Sequence, residues 1–180
     1  MNPSANLFLI GPMGAGKTTL GKKLAEHYGL QFIDLDDEIE RRCGVSVATV
    51  FEIEGEPGFR QRESKCLAEM CQLRGIVLAT GGGSVLLPEN RAMLSAHGFV
   101  LYLPVTVDQQ LSRLARDRKR PLLQAPDRRE RLTAMATVRT PLYEATADLR
   151  LDADSNQIIK VMETAVQQLD ARWQILGQAA

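Results

Sequence analysis

Short apolar runs recur along the chain, and each gives way to a stretch in which apolar residues return every three or four positions. "NLFLI" (6–10), "QFIDL" (31–35), "IVLAT" (76–80), "FVLYL" (99–103) and the shorter "LRLD" (149–152) read as strands. Helices are predicted between them. Residues 17–28 place Leu20, Leu24 and Ala25 on one side and stop before Gly29. Two short helices, 36–43 and 46–54, flank Gly44, and a longer one starts near Pro57 and ends before Gly75. Pro88 opens another helix that Gly98 closes, and a further one spans about 106–116. Helix returns over about 128–138, where Pro141 is expected to break or kink it. The last helix, from about Asn156, carries Ile158, Ile159, Val161, Met162 and Val166, and the tail from about 174 to 180 is expected to fray.

Strand and helix alternating in this order predict an α/β fold: a five-stranded parallel sheet flanked by helices on both faces, in a single domain over 1–180. In such sheets, ligands bind beyond the carboxyl ends of the strands. The chemically loaded stretches lie there: residues 11–18, the pair Asp34 and Asp36, and the glycines 81–83.

Charge narrows the classes. Lys+Arg and Asp+Glu are both 22, a net charge of zero, which argues against wholesale binding to nucleic acid or membrane. The three cysteines, Cys43, Cys66 and Cys71, contain no C-x-x-C and are expected to be free thiols in a reducing compartment. The N-terminus lacks the basic flank of a secretory signal, and no apolar run approaches the ~18 residues of a membrane span. A cytoplasmic protein is expected.

"GPMGAGKT" matches G-x-x-x-x-G-K-[ST] at every fixed position. Its glycines let backbone N–H groups turn inward around phosphate oxygens, and the following helix points its positive end at the same anion. Gly14, Ala15, Gly16, Lys17, Thr18 and Thr19 are therefore candidate nucleotide ligands. Lys17 can reach the β- and γ-phosphates, and Thr18 can offer its hydroxyl to Mg²⁺. In "FIDLDDE", Asp34 and Asp36 stand two residues apart, and continued strand would point both to one side. One could meet Mg²⁺, directly or through water, and the other could accept a proton from a substrate hydroxyl. The same junction favours Asp as a helix N-cap, a role open to Asp36 or Asp37.

Arg60 and Arg62 in "EPGFRQRES" fit a solvated helix face when taken alone, with Glu63 placed to hold Arg60. The glycines 81–83 end a buried strand, where backbone can approach a ligand closely. The segment 113–131 is rich in arginine, including Arg113 and Arg120, and carries prolines. In a phosphate-binding protein this suggests a mobile lid over about 115–127, against a solvated loop or an RNA patch. No aromatic residue lies there to stack on bases. Arg139 lies just before Pro141, an unusual place for a purely solvated charge.

Together, "GPMGAGKTT", "FIDLDDEIE", "EGEPGFRQRE", "LATGGGSV", "RPLL" and "RTPLY", in this order, resemble the shikimate kinase family. The resemblance implies a P-loop kinase fold of the nucleoside-monophosphate-kinase type and a transferase moving the γ-phosphoryl of ATP to the 3-hydroxyl of shikimate, in aromatic amino-acid synthesis. It implies that Lys17 contacts phosphate, Thr18 ligates Mg²⁺ and Asp34 holds the metal through water. Asp36 would bind the acceptor hydroxyl and orient or deprotonate it. Arg60, braced by Glu63, and Arg139 would grip the shikimate carboxylate. Gly81, Gly82 and Gly83 would line the pocket, and Phe51 and Phe59 would wall it, within acceptor-binding helices over about 36–62. Arg120 would reach the transferring phosphoryl from the lid, and Arg113 would stack on adenine. The turn at 152–156 matches loosely and carries no assigned base contact. The implied partners are shikimate and ATP, with no nucleic acid or membrane, in a monomer. Two rivals are a kinase for another small acceptor, such as gluconate or a nucleoside monophosphate, and a nucleotide-dependent switch. The switch is disfavoured because no N-K-x-D guanine-reading motif occurs.

Overall fold

The computed structural model describes residues 2–115, 127–152 and 157–176. In chain order the strands are β1 (Asn2–Ser4), β2 (Leu7–Ile10), β3 (Gln31–Asp34), β4 (Ile76–Ala79), β5 (Phe99–Tyr102), β6 (Leu149–Arg150) and β7 (Trp173–Ile175). The helices are α1 (Lys17–Tyr28), α2 (Leu35–Cys43), α3 (Val47–Met70), α4 (Pro88–His97), α5 (Val107–Arg113), α6 (Arg128–Thr146) and α7 (Ile158–Arg172). Five strands form one sheet in the order β3-β4-β2-β5-β6, and every neighbouring pair is parallel. Leu9 lies opposite both Ala79 and Leu101, and Asp34 lies opposite Ala79, so the carboxyl ends of the strands gather along one rim.

The strands β2, β4 and β5 are buried along their whole length, as expected of strands covered on both faces. Alternate residues divide between two cores. Phe8, Ile10, Leu78 and Val100 pack with α2, α3, α4 and α6, through Leu35, Leu67, Leu94 and Tyr143. Leu7, Leu9, Val77 and Leu101 pack on the other face with α1 and α7, through Leu24, Ala165 and Leu169. Each fully buried Leu, Ile, Val or Phe among them contributes about 1.5–3 kcal/mol by leaving water. These cores hold the rim rigid.

Two local expectations are corrected. Helix α6 runs unbroken through Pro141 to Thr146. The proline removes one backbone donor, yet the helix continues past it, with Leu132, Tyr143 and Thr146 buried along its length. As expected, α3 consists of two helical stretches, meeting at a kink at Gly55, which adopts φ 68° and ψ −178°. Lastly, Gln174 and Ile175 do not fray. They pair in parallel with Pro3 and Ser4, and the Trp173 indole N–H donates to the Ser4 carbonyl at 3.1 Å. These partners lie 169 positions apart, beyond the reach of local periodicity.

Candidate active site

The rim positions the chemistry. Between β2 and α1 the chain turns through Gly14 (φ 76°) and Gly16 (φ 89°), backbone conformations open to glycine. Gly16 caps α1, and Lys17 is its first residue. The first-turn N–H groups of a helix lack intrahelical partners, and an anion placed there meets them and the helix dipole together. The Lys17 ammonium curls over the loop and donates to the carbonyls of Gly11 at 2.7 Å and Pro12 at 3.0 Å. Helix α5 fixes the loop from outside: Gln110 donates to the Met13 carbonyl at 2.8 Å, and Arg113 to the Gly14 carbonyl at 3.0 Å. Beside the loop opens a cleft of about 420 Å³, lined by Gly14, Gly16, Thr19, Arg113, Ile158 and Val161 among others. The spacing of α7 marks Ile158 and Val161 as core positions; the fold also sets them on this cleft.

Asp34 closes β3 and caps α2. Its Oδ1 accepts from the Asp36 N–H at 3.1 Å, and its Oδ2 accepts from the Thr18 hydroxyl at 2.7 Å. The cap is thus Asp34 rather than Asp36 or Asp37. The strand ends before Asp36, so a helical turn, not strand alternation, sets the relation of the two carboxylates. Thr18 and Asp34 offer adjacent hard oxygen atoms at a phosphate cradle, a donor set that fits Mg²⁺. Among the described residues no cluster of three or more His, Cys, Asp or Glu could hold a metal. Magnesium at phosphoryl-transfer sites takes one or two protein oxygens plus substrate phosphates, so it needs no such cluster.

Opposite the loop, residues 81–83 gather the remaining groups. A Cβ at Gly81 would stand 2.6 Å from Glu63 Oε1 and 3.2 Å from Asp36 Oδ1. A Cβ at Gly82 would stand 3.3 Å from the Met13 backbone nitrogen, and one at Gly83 would collide with the Arg60 guanidinium. Arg139 Nη1 reaches the Gly82 carbonyl at 3.4 Å, and the Tyr143 hydroxyl donates to the same oxygen. Asp36, Arg60 and Arg139 therefore flank one glycine tripeptide that abuts the phosphate loop. Arg60 donates to Glu63 Oε2 at 2.6 Å and to Glu56 Oε1 at 3.0 Å, with its guanidinium carbon 5.2 Å from the Phe59 ring centroid and 6.0 Å from that of Phe51. The two rings stack with centroids 4.4 Å apart. Burial works against the charge of Arg60, but Glu63 and then Glu56 outweigh it and raise its basicity further. Burial also pushes the Tyr143 phenol well above its ordinary range, so it stays a donor.

Every site residue singled out in the sequence lies in one of these two walls except Arg120, which lies outside the described residues, as do most of the lid segment and residues 153–156. Tyr143, Ser84, Asn90 and Gln110 join the site's framework without having been singled out. Tyr143 closes the "RTPLY" motif, and Ser84 directly follows the glycines, the only signals that mark them.

A glycine cradle on a helix N-terminus, a lysine, an acidic strand end and this parallel strand order define a P-loop phosphotransferase of the small-molecule kinase type. The family model described as "Shikimate kinase" matches residues 13–170. The "Shikimate kinase" of Actinobacillus pleuropneumoniae is 52% identical over 169 residues, covering 94% of this chain and 97% of that protein. That of Stenotrophomonas maltophilia is 50% identical over 174 residues, covering 97% of each. A solved structure, shikimate kinase from Acinetobacter baumannii in complex with shikimate, superposes with a TM-score of 0.89 at 40% identity, over 93% of this chain and 94% of that one. The chain belongs to the shikimate kinase family.

Proposed function

We propose that this protein is an ATP-dependent kinase that phosphorylates the 3-hydroxyl of shikimate, giving shikimate 3-phosphate and ADP in aromatic amino-acid biosynthesis. The observation that carries the reading is the convergence of Asp36, Glu63-braced Arg60 and Arg139 on residues 81–83, directly against the phosphate loop. Shikimate is small, anionic and rich in hydroxyls. Arg60 and Arg139 take its carboxylate through charge-assisted hydrogen bonds. Asp36 accepts from the acceptor hydroxyl, orienting it and standing ready to take its proton. Phe51 and Phe59 form the apolar wall behind Arg60.

On the donor side, the N–H groups of Gly14, Ala15, Gly16 and the first turn of α1 hold the phosphates, with the Thr19 backbone completing the cradle. Lys17 exchanges its carbonyl partners for phosphate oxygens. Thr18, with Asp34 through water, would hold Mg²⁺, which supplies charge neutralisation between the phosphates when bound. Arg113 lines the cleft where the nucleoside would lie, and its guanidinium stacks on adenine in this reading. Arg120, outside the described residues, is assigned to the transferring phosphoryl in this reading. Alignment of one hydroxyl with the γ-phosphorus supplies much of the acceleration.

In this reading the enzyme works as a monomer. The three thiols are free, in keeping with a reducing, cytoplasmic compartment. No helix among the described residues is long and apolar enough to cross a membrane. A coupled ADP-release assay offering shikimate, gluconate and several nucleoside monophosphates tests the assignment. Turnover with shikimate alone is expected; turnover of another acceptor with none of shikimate would overturn it.

A further inference from the structure

Glu63 carries a carboxylate with 0% solvent exposure on α3. One of its oxygens braces Arg60. The other meets a residue to which the reaction has so far given no role. Ser84, also 0% exposed, donates its hydroxyl to Glu63 Oε1 at 2.6 Å. An ionised carboxylate only accepts, so the direction of this bond is fixed. Ser84 is itself held. Its carbonyl accepts from the Asn90 side-chain amide at 2.9 Å, and Asn90 Oδ1 accepts from the Ser64 hydroxyl at 2.7 Å. Ser64 adjoins Glu63 on α3, so the chain of bonds closes into a ring linking α3, the turn after residues 81–83, and α4. Asn90 is fully buried as well.

We propose that Ser84, anchored by Asn90, is a positioning residue for acceptor binding: it locks the Glu63 carboxylate in the orientation that aims Arg60 into the pocket. The proposal rests on the reading of Arg60 as a grip for the shikimate carboxylate. Its physical basis is a competition. Arg60 bridges two carboxylates, the buried Glu63 and the exposed Glu56. With the Ser84 hydroxyl gone, Glu63 Oε1 becomes a buried acceptor that has lost its donor, and the carboxylate turns to recover a partner. The guanidinium then follows Glu63 or swings toward Glu56. Because it lies against the Gly83 backbone, either motion takes it off the pocket wall. The consequence falls on acceptor binding rather than on the chemical step or on ATP.

Steady-state kinetics on the full chain test this. Ser84→Ala should raise KM for shikimate about tenfold, change kcat by less than about twofold and leave KM for ATP unmoved. Ser84→Cys, which keeps a weak donor, should show a smaller rise and serves where the alanine variant is poorly folded. In a Glu63→Gln background, removing the Ser84 hydroxyl should add less than about twofold, because its effect passes through Glu63. A full additional tenfold there would overturn the relay. So would a lowered melting temperature with reduced kcat and unchanged KM, the signature of a merely structural role. Arg60→Ala is the reference. If it leaves KM for shikimate unchanged, the reading of Arg60 fails and takes the relay with it. If it raises KM while Ser84→Ala and Ser84→Cys do not, the relay alone is wrong.

Discussion

In the proposed site, residues 11–18 supply the phosphate cradle from one continuous stretch, largely with backbone N–H groups. The proposed acceptor pocket draws Asp36, Arg60, residues 81–83 and Arg139 from separate segments, and works mainly through side chains. The donor wall is built by turn geometry and a helix end, so its function depends on glycines and one lysine. The acceptor wall is built by packing: α2 brings Asp36, α3 brings Arg60 and Glu63, and α6 brings Arg139 to the same glycines. A backbone site should tolerate change around it, whereas a side-chain site held by relayed hydrogen bonds should fail at each link.

Variants can probe that contrast, from the largest effect down. Asp36→Asn removes an acceptor-side carboxylate and should lower kcat about 10³-fold. Calorimetric affinity for ATP should stay within about threefold of the parent; a comparable loss of ATP affinity would merge the two walls. Arg139→Ala should raise KM for shikimate about 30-fold with KM for ATP nearly constant, as expected for a charged hydrogen bond lost from ground and transition states alike. Gly82→Ala is the variant that should cross the boundary, since its new methyl group would press on the Met13 backbone nitrogen at 3.3 Å. Both KM values should rise about fivefold, and a rise in only one would show that the walls move independently.

Tyr143→Phe deletes the hydroxyl that donates to the Gly82 carbonyl and should raise KM for shikimate about threefold, read in the same assay. The smallest effect concerns stability on the acceptor side. Hydrogen bonds from Arg41 and then Arg42 hold the Glu38 carboxyl at about 2, below its ordinary 4.5. The folded state therefore keeps Glu38 ionised where the unfolded chain has begun to protonate, and the gain is lost as pH falls from about 4.5 toward about 2. Glu38→Gln should lower the melting temperature by about 2 °C near neutral pH, an effect that shrinks in high salt. The gap should close in melts recorded near pH 2; a gap that persisted there would locate the effect elsewhere.

Much of this was legible in the chain. The five sheet strands follow from apolar runs, and the glycine cradle from a local motif whose spacing and geometry are one fact. The resemblance carried by "FIDLDDEIE", "EGEPGFRQRE" and "RTPLY" pointed to Asp36, Arg60 and Arg139, and the fold brings all three to residues 81–83. Less visible were partners defined by distance. Nothing near Ser84 announces that it donates to Glu63, 21 positions away, and nothing near Trp173 announces strand β7. Pro141 misled because local propensity reads a break, whereas α6 continues past it with buried residues on both sides.

Sequence alone determined what repeats or recurs over short spans: the order of strands and helices, the phosphate loop, and the residue types available for charge. These depend on backbone propensity and side-chain period, which neighbours along the chain set. Tertiary structure decided which of Arg60's carboxylates is buried, which aspartate caps α2, and how Arg139, Tyr143 and Gly82 come within bonding distance. Those outcomes depend on burial and on contacts between remote segments, and a buried charge or hydroxyl acquires its role only when folding removes water and leaves a specific partner in its place.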